Sequence, residues 1–336
     1  MTRRIERIRL GPGPEFDLIR QFLARDVDAA AQMDAAVRVG PGDDCAVVEG
    51  VALSTDLSIE GIHFQRAWLE PEEIGYRAAA AALSDLAAVA ARPVGVLCSL
   101  ACPGDDAAGL APRVMVGLRS AAAAVGAALL GGDLARSPGP LLLDVVAVGR
   151  VGRPVLRSGA RPGDALWVTG ELGGAAAAVL AWQRGVVPTD AARRAFARPR
   201  PRIREALWLA ERGLARALID ISDGLAGDAA HLAAASGVRV VLDATAVPVH
   251  PAAAAHGSRD DGLRLALVGG EDYELCFAAA VGAVEPVADE FRETFGVALS
   301  RVGFVEEGSG VWIRDADGRV APLGVHGYQH FGEDGV

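Results

Sequence analysis

Apolar positions recur along the chain at two spacings. From Glu15 to Arg25, Phe16, Ile19, Phe22 and Leu23 fall on one face, so a short amphipathic helix opens the fold behind a Gly-Pro-Gly-Pro lead. Short apolar runs then read as strands, Cys45 to Val48 and Val51 to Leu53. Pro71 begins a long Ala-rich helix that runs to about Ala91 and stops at Arg92-Pro93. Val94 to Ala101 is a strand, and Asp106 to Gly126 is a second Ala-rich helix. Ala127 to Leu130 is a strand ending in Gly131-Gly132-Asp133, and Leu141 to Val151 is a long strand. Strands and helices thus alternate, as they do in α/β folds.

The stretch from Arg150 to Gly163, rich in Arg, Pro and Gly, reads as the passage to a second domain. A length of 336 residues is too great for one ordinary core. The expected division is 1–150 and 151–336. Beyond the passage, Asp164 to Thr169 is a strand, and Gly170-Glu-Leu-Gly-Gly leads into a helix from Ala175 to Arg184. Such a turn could cradle a phosphate on helix amides, but it lacks the Gly-x-Gly-x-x-Gly spacing and the distal acid, so a structural turn is expected. Arg198-Pro-Arg-Pro-Arg reads as a rigid surface connector before a helix from Ile203 to Arg212. Asp220 interrupts a buried-type strand, after which Ser222, Asp223 and Gly224 turn the chain into a helix from Leu225 to Ala235. Leu265 to Phe277 repeats that plan: a strand, a Gly-Gly break, two acids and another strand.

The chemistry concentrates in one stretch, Val39 to Asp56. A Gly-Pro-Gly turn delivers Asp43 and Asp44 to one strand, and the next is read as ending in Ser54, Thr55 and Asp56. No cation lies within the stretch itself. Like charges about 4 Å apart repel by roughly 4 kcal/mol at an effective dielectric near 20, so this cluster needs wide spacing, protonation or a bound cation. Hard oxygen ligands suit Mg²⁺. The plainer reading, that Asp43 and Asp44 only close a turn, also stands. Ser84 and Asp85 are the polar pair in an otherwise apolar helical run, Ala78 to Ala91, and a buried carboxylate there needs a partner. The strand ends carrying Asp44, Asp56 and Asp133 point to a ligand site, since strand ends converge in α/β folds. Asp223 could be a helix cap, a role that Asp220 inside its strand cannot have.

Composition removes whole classes. Net charge is −10, from 33 basic and 43 acidic residues, which argues against nucleic acid or an anionic membrane as partner. All the basic residues are Arg; the chain contains no Lys, so a Walker lysine, a protein-kinase lysine and Schiff-base chemistry are excluded. Cys45, Cys98, Cys102 and Cys276 form no Cys-x-x-Cys pair and are expected as reduced, buried thiols. The first residues lack an apolar signal region and no run approaches a membrane span, so a cytoplasmic protein is expected.

Seven pieces together resemble the thiamine-monophosphate kinases of the aminoimidazole-ribonucleotide synthetase superfamily. They are Glu15-Phe-Asp-Leu-Ile, Gly42-Asp-Asp-Cys-Ala, Ser54-Thr-Asp with Gly61-Ile-His-Phe, Leu83-Ser-Asp-Leu-Ala-Ala, Gly131-Gly-Asp, Asp220-Ile-Ser-Asp-Gly-Leu and Gly269-Gly-Glu-Asp-Tyr-Glu-Leu. They keep the family's order and span nearly the whole chain; Val89 stands where many relatives carry Met. The resemblance implies transfer of the γ-phosphoryl group of ATP to thiamine monophosphate. It also implies two α/β domains, with the N-terminal domains pairing into a homodimer whose strands close a β-barrel. By the same carry-over, Asp44, Thr55, Asp56, Asp85, Asp133, Asp220 and Asp223 would bind Mg²⁺, with Ser54 assisting. Gly132, Asp133, Arg157 and Ser222 would contact ATP, and His63, Glu271 and Tyr328 the thiamine phosphate. No covalent nucleophile is implied, and none is needed for direct in-line transfer to a phosphate already ionised. The alternatives are another ATP-dependent synthetase of the superfamily and a non-catalytic sensor of Mg-ATP.

Overall fold

The computed structural model describes residues 8–24, 35–104, 106–324 and 327–328. Of the aromatic C-terminal run Gly327-Tyr328-Gln-His-Phe331, the residues after Tyr328 lie outside them. Two sheets organise the chain. The first contains β1 (Val37–Val39), β2 (Ala46–Val48), β3 (Val51–Ile59), β4 (Arg92–Pro103), β5 (Ala128–Ser137) and β6 (Leu142–Arg150), in the order β1-β2-β3-β6-β4-β5. Only β4 and β5 run parallel. The second contains β7 (Asp164–Thr169), β8 (Ala217–Ile221), β9 (Arg239–Asp243), β10 (Glu274–Ala280), β11 (Leu299–Glu306), β12 (Gly310–Arg314) and β13 (Val320–Pro322), in the order β13-β12-β9-β11-β7-β10-β8. The first sheet is open, with β1 and β5 at its edges, so the chain by itself forms no closed barrel among the described residues.

β7 is buried at all six positions, the continuous apolar run expected of a strand covered on both faces. One face, with Trp167, Leu218 and Phe277, joins a core that continues into the first sheet through Val96, Leu143 and Val145. The other, with Val168, Ile219 and Cys276, packs on Leu225, Ala229 and Leu232 of the helix Leu225–Ser236. With Ala and Val in place of rings, the helices must approach closely. Pro71–Ala88 and Ala107–Ala124 do so through Gly75 and Gly117, where an added Cβ would lie 1.8 Å from the Val114 carbonyl and 1.7 Å from that of Glu72. Pro71–Ala88 starts with Pro at its first turn and the Glu70 N–H donating to Glu73 (2.9 Å). It ends three residues before the expected Ala91: Ala90 takes the left-handed conformation (φ +52°) and Ala91 N–H returns to the Leu86 carbonyl (2.8 Å), turning the chain into β4.

Three sequence expectations are corrected. β3 does not stop at Leu53, and β5 does not stop at Leu130; Ser54, Thr55, Asp56 and Asp133 lie inside strands, paired with Ala147, Val146, Val145 and Ser99. Acids and hydroxyls are tolerated there because β5 is an edge and β3 is only half covered. Leu265 to Val268 ends the helix Arg259–Val268 rather than forming a strand. The helix Asp190–Ala197, capped by Thr189, has no counterpart in the sequence reading.

Candidate active site

The Ala-rich helix Pro71–Ala88 lies against both sheets, and its polar pair faces the seam between them. Ser84 donates its hydroxyl proton to Asp220 Oδ2 on β8 (2.6 Å). Its neighbour Asp85 accepts the hydroxyl of Ser54 on β3. Asp44 comes from the turn before β2. Asp44, Asp85 and Asp220 each bring one carboxylate oxygen within 4.8 Å of the others.

A cation that the stretch Val39 to Asp56 lacks arrives from the passage between the sheets. Arg157 grips Asp44 with both arms, Nη2 to Oδ1 at 2.7 Å and Nε to Oδ2 at 3.0 Å. Its backbone N–H donates to Asp43 Oδ2 (3.0 Å), and Asp43 Oδ1 accepts the N–H of Asp44 (3.0 Å). Asp43 therefore holds the turn while Asp44 faces the cluster, so the two readings of the Asp-Asp pair are divided between its members. Burial alone would lower the Arg157 pKa, but the Asp44 charge and hydrogen bonds raise it above its ordinary value.

One guanidinium does not balance the acids. Burial, and then the Asp44 charge, push the carboxyls of Asp43 and Asp220 up to about 7, and Asp85 is raised well above its ordinary value by burial and by Asp220. Converging hard oxygen donors that resist ionisation together are the donor set a divalent cation such as Mg²⁺ accepts. Asp44, Asp85 and Asp220, with Ser54 beside them, are the residues that would hold it.

Ser222 and Asp223 lie just beyond β8. Their N–H groups both donate to Asp228 Oδ2 (3.1 Å each), so Asp228, which the sequence reading passed over, shapes this turn. Asp223 is not the helix cap; Gly224 occupies that position. Burial, Glu15 and Glu271 push the Asp223 carboxyl up to about 7.

Two of the expected substrate residues, His63 and Glu271, meet at Arg77, a second residue missed in sequence. Arg77 is 3% exposed, pairs with Glu271 Oε2, donates to the Phe196 carbonyl (2.9 Å) and to that of His63 (3.4 Å), and lies 3.9 Å over the Phe196 ring. Its signal was available: Arg77 and Ser84 are seven apart, hence on one helix face. Tyr273 donates its hydroxyl to Glu271 Oε2 (2.7 Å). Both Glu271 (φ +66°) and Tyr273 (φ +51°) hold left-handed backbone, pinned as their N–H groups donate to the carbonyls of Ser222 (2.7 Å) and Ile221 (2.8 Å). His63 Nδ1 accepts the Ile59 N–H (3.0 Å). Tyr328 is half exposed, and its N–H donates to the Asp223 carbonyl (2.9 Å). Burial, then Glu271, Asp223 and Glu15, raise its hydroxyl pKa.

Other expected members stand apart from the three-carboxylate cluster. Asp56 shares the inner face of β3 with Ser54, and burial and Glu271 push it up to about 7. Thr55 faces the opposite way and donates to Asp144 Oδ1 (2.6 Å). Asp133 is exposed on edge strand β5. Gly132 has a packing reason to be glycine, since at φ +153° a Cβ would lie 1.9 Å from the Cys98 carbonyl. All four cysteines are buried and unpaired, as expected.

Two family models cover this architecture in sequence order: AIR synthase related protein, N-terminal domain, over residues 42–151, and AIR synthase related protein, C-terminal domain, over residues 161–314. The thiamine-monophosphate kinase of Escherichia coli K12 is 34% identical over 334 residues, covering 94% of this chain and 98% of its own. The crystal structure of thiamine-monophosphate kinase from Stenotrophomonas maltophilia K279a is 35% identical, covers 92% of this chain and 98% of its own, and superposes with a TM-score of 0.73. The structure of AaThiL complexed with AMPPCP and TMP is 30% identical, covers 95% of this chain and 97% of its own, and gives 0.78. With kinship running through both sheets and the helix between them, the chain belongs to the thiamine-monophosphate kinase family of AIR synthase related proteins.

Proposed function

We propose that the protein transfers the γ-phosphoryl group of ATP to the phosphate of thiamine monophosphate, giving thiamine diphosphate. The observation that carries this reading is the convergence of Asp44, Asp85 and Asp220 at the seam, in a chain that superposes on a relative holding AMPPCP and TMP. Two anions cannot enter an acid-lined seam unless charge is neutralised; several bound Mg²⁺ ions would supply that neutralisation and polarise the phosphates. The chain's own residues orient the reactants for in-line attack. Asp56, Asp133, Asp223 and Thr55 are proposed as further metal ligands, and Gly132, Arg157 and Ser222 as contacts to ATP. No side chain needs to act as nucleophile or strong base, because the acceptor phosphate oxygen is already ionised. ATP consumption that depends on added thiamine monophosphate tests the reading. ATP consumption indifferent to it would favour another synthetase chemistry, and binding of Mg-ATP without turnover would favour a sensor.

Thiamine's thiazolium is a flat cation, which Glu271 and the Tyr328 ring, with His63 toward the phosphate, are proposed to receive. A cation–π contact contributes about 1 kcal/mol, somewhat more when desolvated, so Tyr328→Ala is expected to raise KM for thiamine monophosphate several-fold to tens-fold and leave KM for ATP nearly unchanged. A tail that only clips the domain shut predicts the reverse, lower thermal stability with unchanged KM.

A homodimer formed through the first sheet is also proposed. β5 is a ten-residue edge strand exposed almost throughout, with Leu130 and Leu134 half or more in solvent. Long apolar edges invite pairing with another chain, and closing two open sheets on each other would complete a barrel. Sedimentation is expected to give twice the chain mass, and Leu134→Asp to shift it toward one; a wild-type mass of a single chain at all concentrations would remove the dimer.

A further inference from the structure

Two stretches that the acid seam leaves unused, Gly170-Glu-Leu-Gly-Gly and Arg198-Pro-Arg-Pro-Arg, meet in the walls of one cavity of about 610 Å³. Its inner charges are satisfied internally. Glu274 accepts Arg202 Nε (2.7 Å) and the hydroxyl of Thr169 (2.6 Å). Asp272 Oδ2 accepts the Gly173 N–H (2.7 Å), so the amides leading into the helix Gly174–Gln183 already have their acceptor. The rim differs. Arg194, Arg198 and Arg200 line it with exposed side chains, and among the described residues none of them forms a direct ion pair with a carboxylate, although the charge of Arg198 also reaches Glu72 and Glu73. Arg198 leans over the Tyr76 ring at 5.1 Å. Glu171 on the rim and Asp272 deeper in are the lining acids without a described cationic partner, two against the three arginines. Pro199 and Pro201 fix the backbone between the arginines, so part of the ordering cost of gathering them is met before anything binds.

A surplus of guanidinium inside a concavity of ligand size runs against the −10 charge of the whole chain. Guanidinium forks match phosphate oxygens in pairs, a geometry that lysine would not supply. We propose that this cavity is a second anion site, separate from the acid seam, which takes a small phosphate-bearing anion between Arg194, Arg198 and Arg200.

Metal-free protein separates the two sites, because without a divalent cation the seam repels anions while the arginine rim does not. Titration calorimetry of the full chain with inorganic pyrophosphate in EDTA is expected to show saturable binding that weakens steeply with added salt. The double variant Arg194→Gln/Arg200→Gln is expected to lower that affinity at least tenfold, with its thermal midpoint and its ATP turnover kept at wild-type values. Absence of saturable binding to the wild-type protein, or equal affinity in the double variant, would overturn the proposal. The readout is binding without turnover, so it holds or fails independently of the kinase reading.

Discussion

Asp85→Asn is expected to reduce thiamine-monophosphate-dependent ATP turnover by about a thousandfold while leaving the protein folded. The amide is isosteric and its oxygen can still accept the Ser54 hydroxyl, so packing is kept and only the charge is lost. Stability should move the other way. Asp85 is an acid whose folded pKa is raised, so it holds its proton more tightly folded than unfolded. Stability is then lost as pH rises above the unfolded value near 4, and the loss is complete once pH passes the folded value. Asp43, Asp56, Asp220 and Asp223, pushed up to about 7, add the same slope between pH 4 and 7. Metal-free wild-type protein is therefore expected to melt several degrees lower at pH 8 than at pH 5. The Asn variant should melt higher than wild type at pH 8, by a margin that narrows toward pH 5. Retention of near wild-type turnover at saturating Mg²⁺ would remove Asp85 from the site.

Arg77→Met is expected to have the largest effect on stability, a loss of about 3 kcal/mol or more. Removing one partner of a buried pair leaves the other charge uncompensated, which costs more than the pair contributes. The change strands Glu271, whose backbone is already held in a left-handed conformation, and leaves the carbonyls of Phe196 and His63 without that donor. KM for thiamine monophosphate should rise more than KM for ATP, because Arg77 touches Glu271 and His63 of the proposed substrate residues. Adding Glu271→Gln should recover part of the lost stability, since no carboxylate then remains unpaired. Denaturant unfolding of both variants measures this, and a double variant whose losses simply add would show that Arg77 and Glu271 do not act as a pair.

The residues legible in sequence were those that break a pattern. Asp220 inside an apolar strand and Asp85 inside an Ala-rich helix had no local excuse, and the fold gives each a serine hydroxyl, Ser84 to Asp220 and Ser54 to Asp85. Arg157 and Arg77 were harder to assign, because an arginine beside a Gly- and Pro-rich passage or at the start of a helix has solvent as its default surroundings. Arg157 lies 113 residues from Asp44, and no local period reports such a pairing. Strand ends were misplaced for a related reason: β3 and β5 are partly uncovered, so polar residues within them imitate a terminus. Asp228 was hidden because its task is to hold two backbone N–H groups, which leaves no trace in side-chain spacing.

Ser84 and Asp85 are consecutive, yet one binds a residue of the second sheet and the other a residue of the first. The oxygen ligands of the seam are thus contributed by both halves of the chain, and neither half separately presents Asp44, Asp85 and Asp220 together. Affinity for a cation and cohesion between the halves are then reciprocal quantities: whatever free energy an ion gains by finding three carboxylates assembled, the assembly gains in resistance to coming apart.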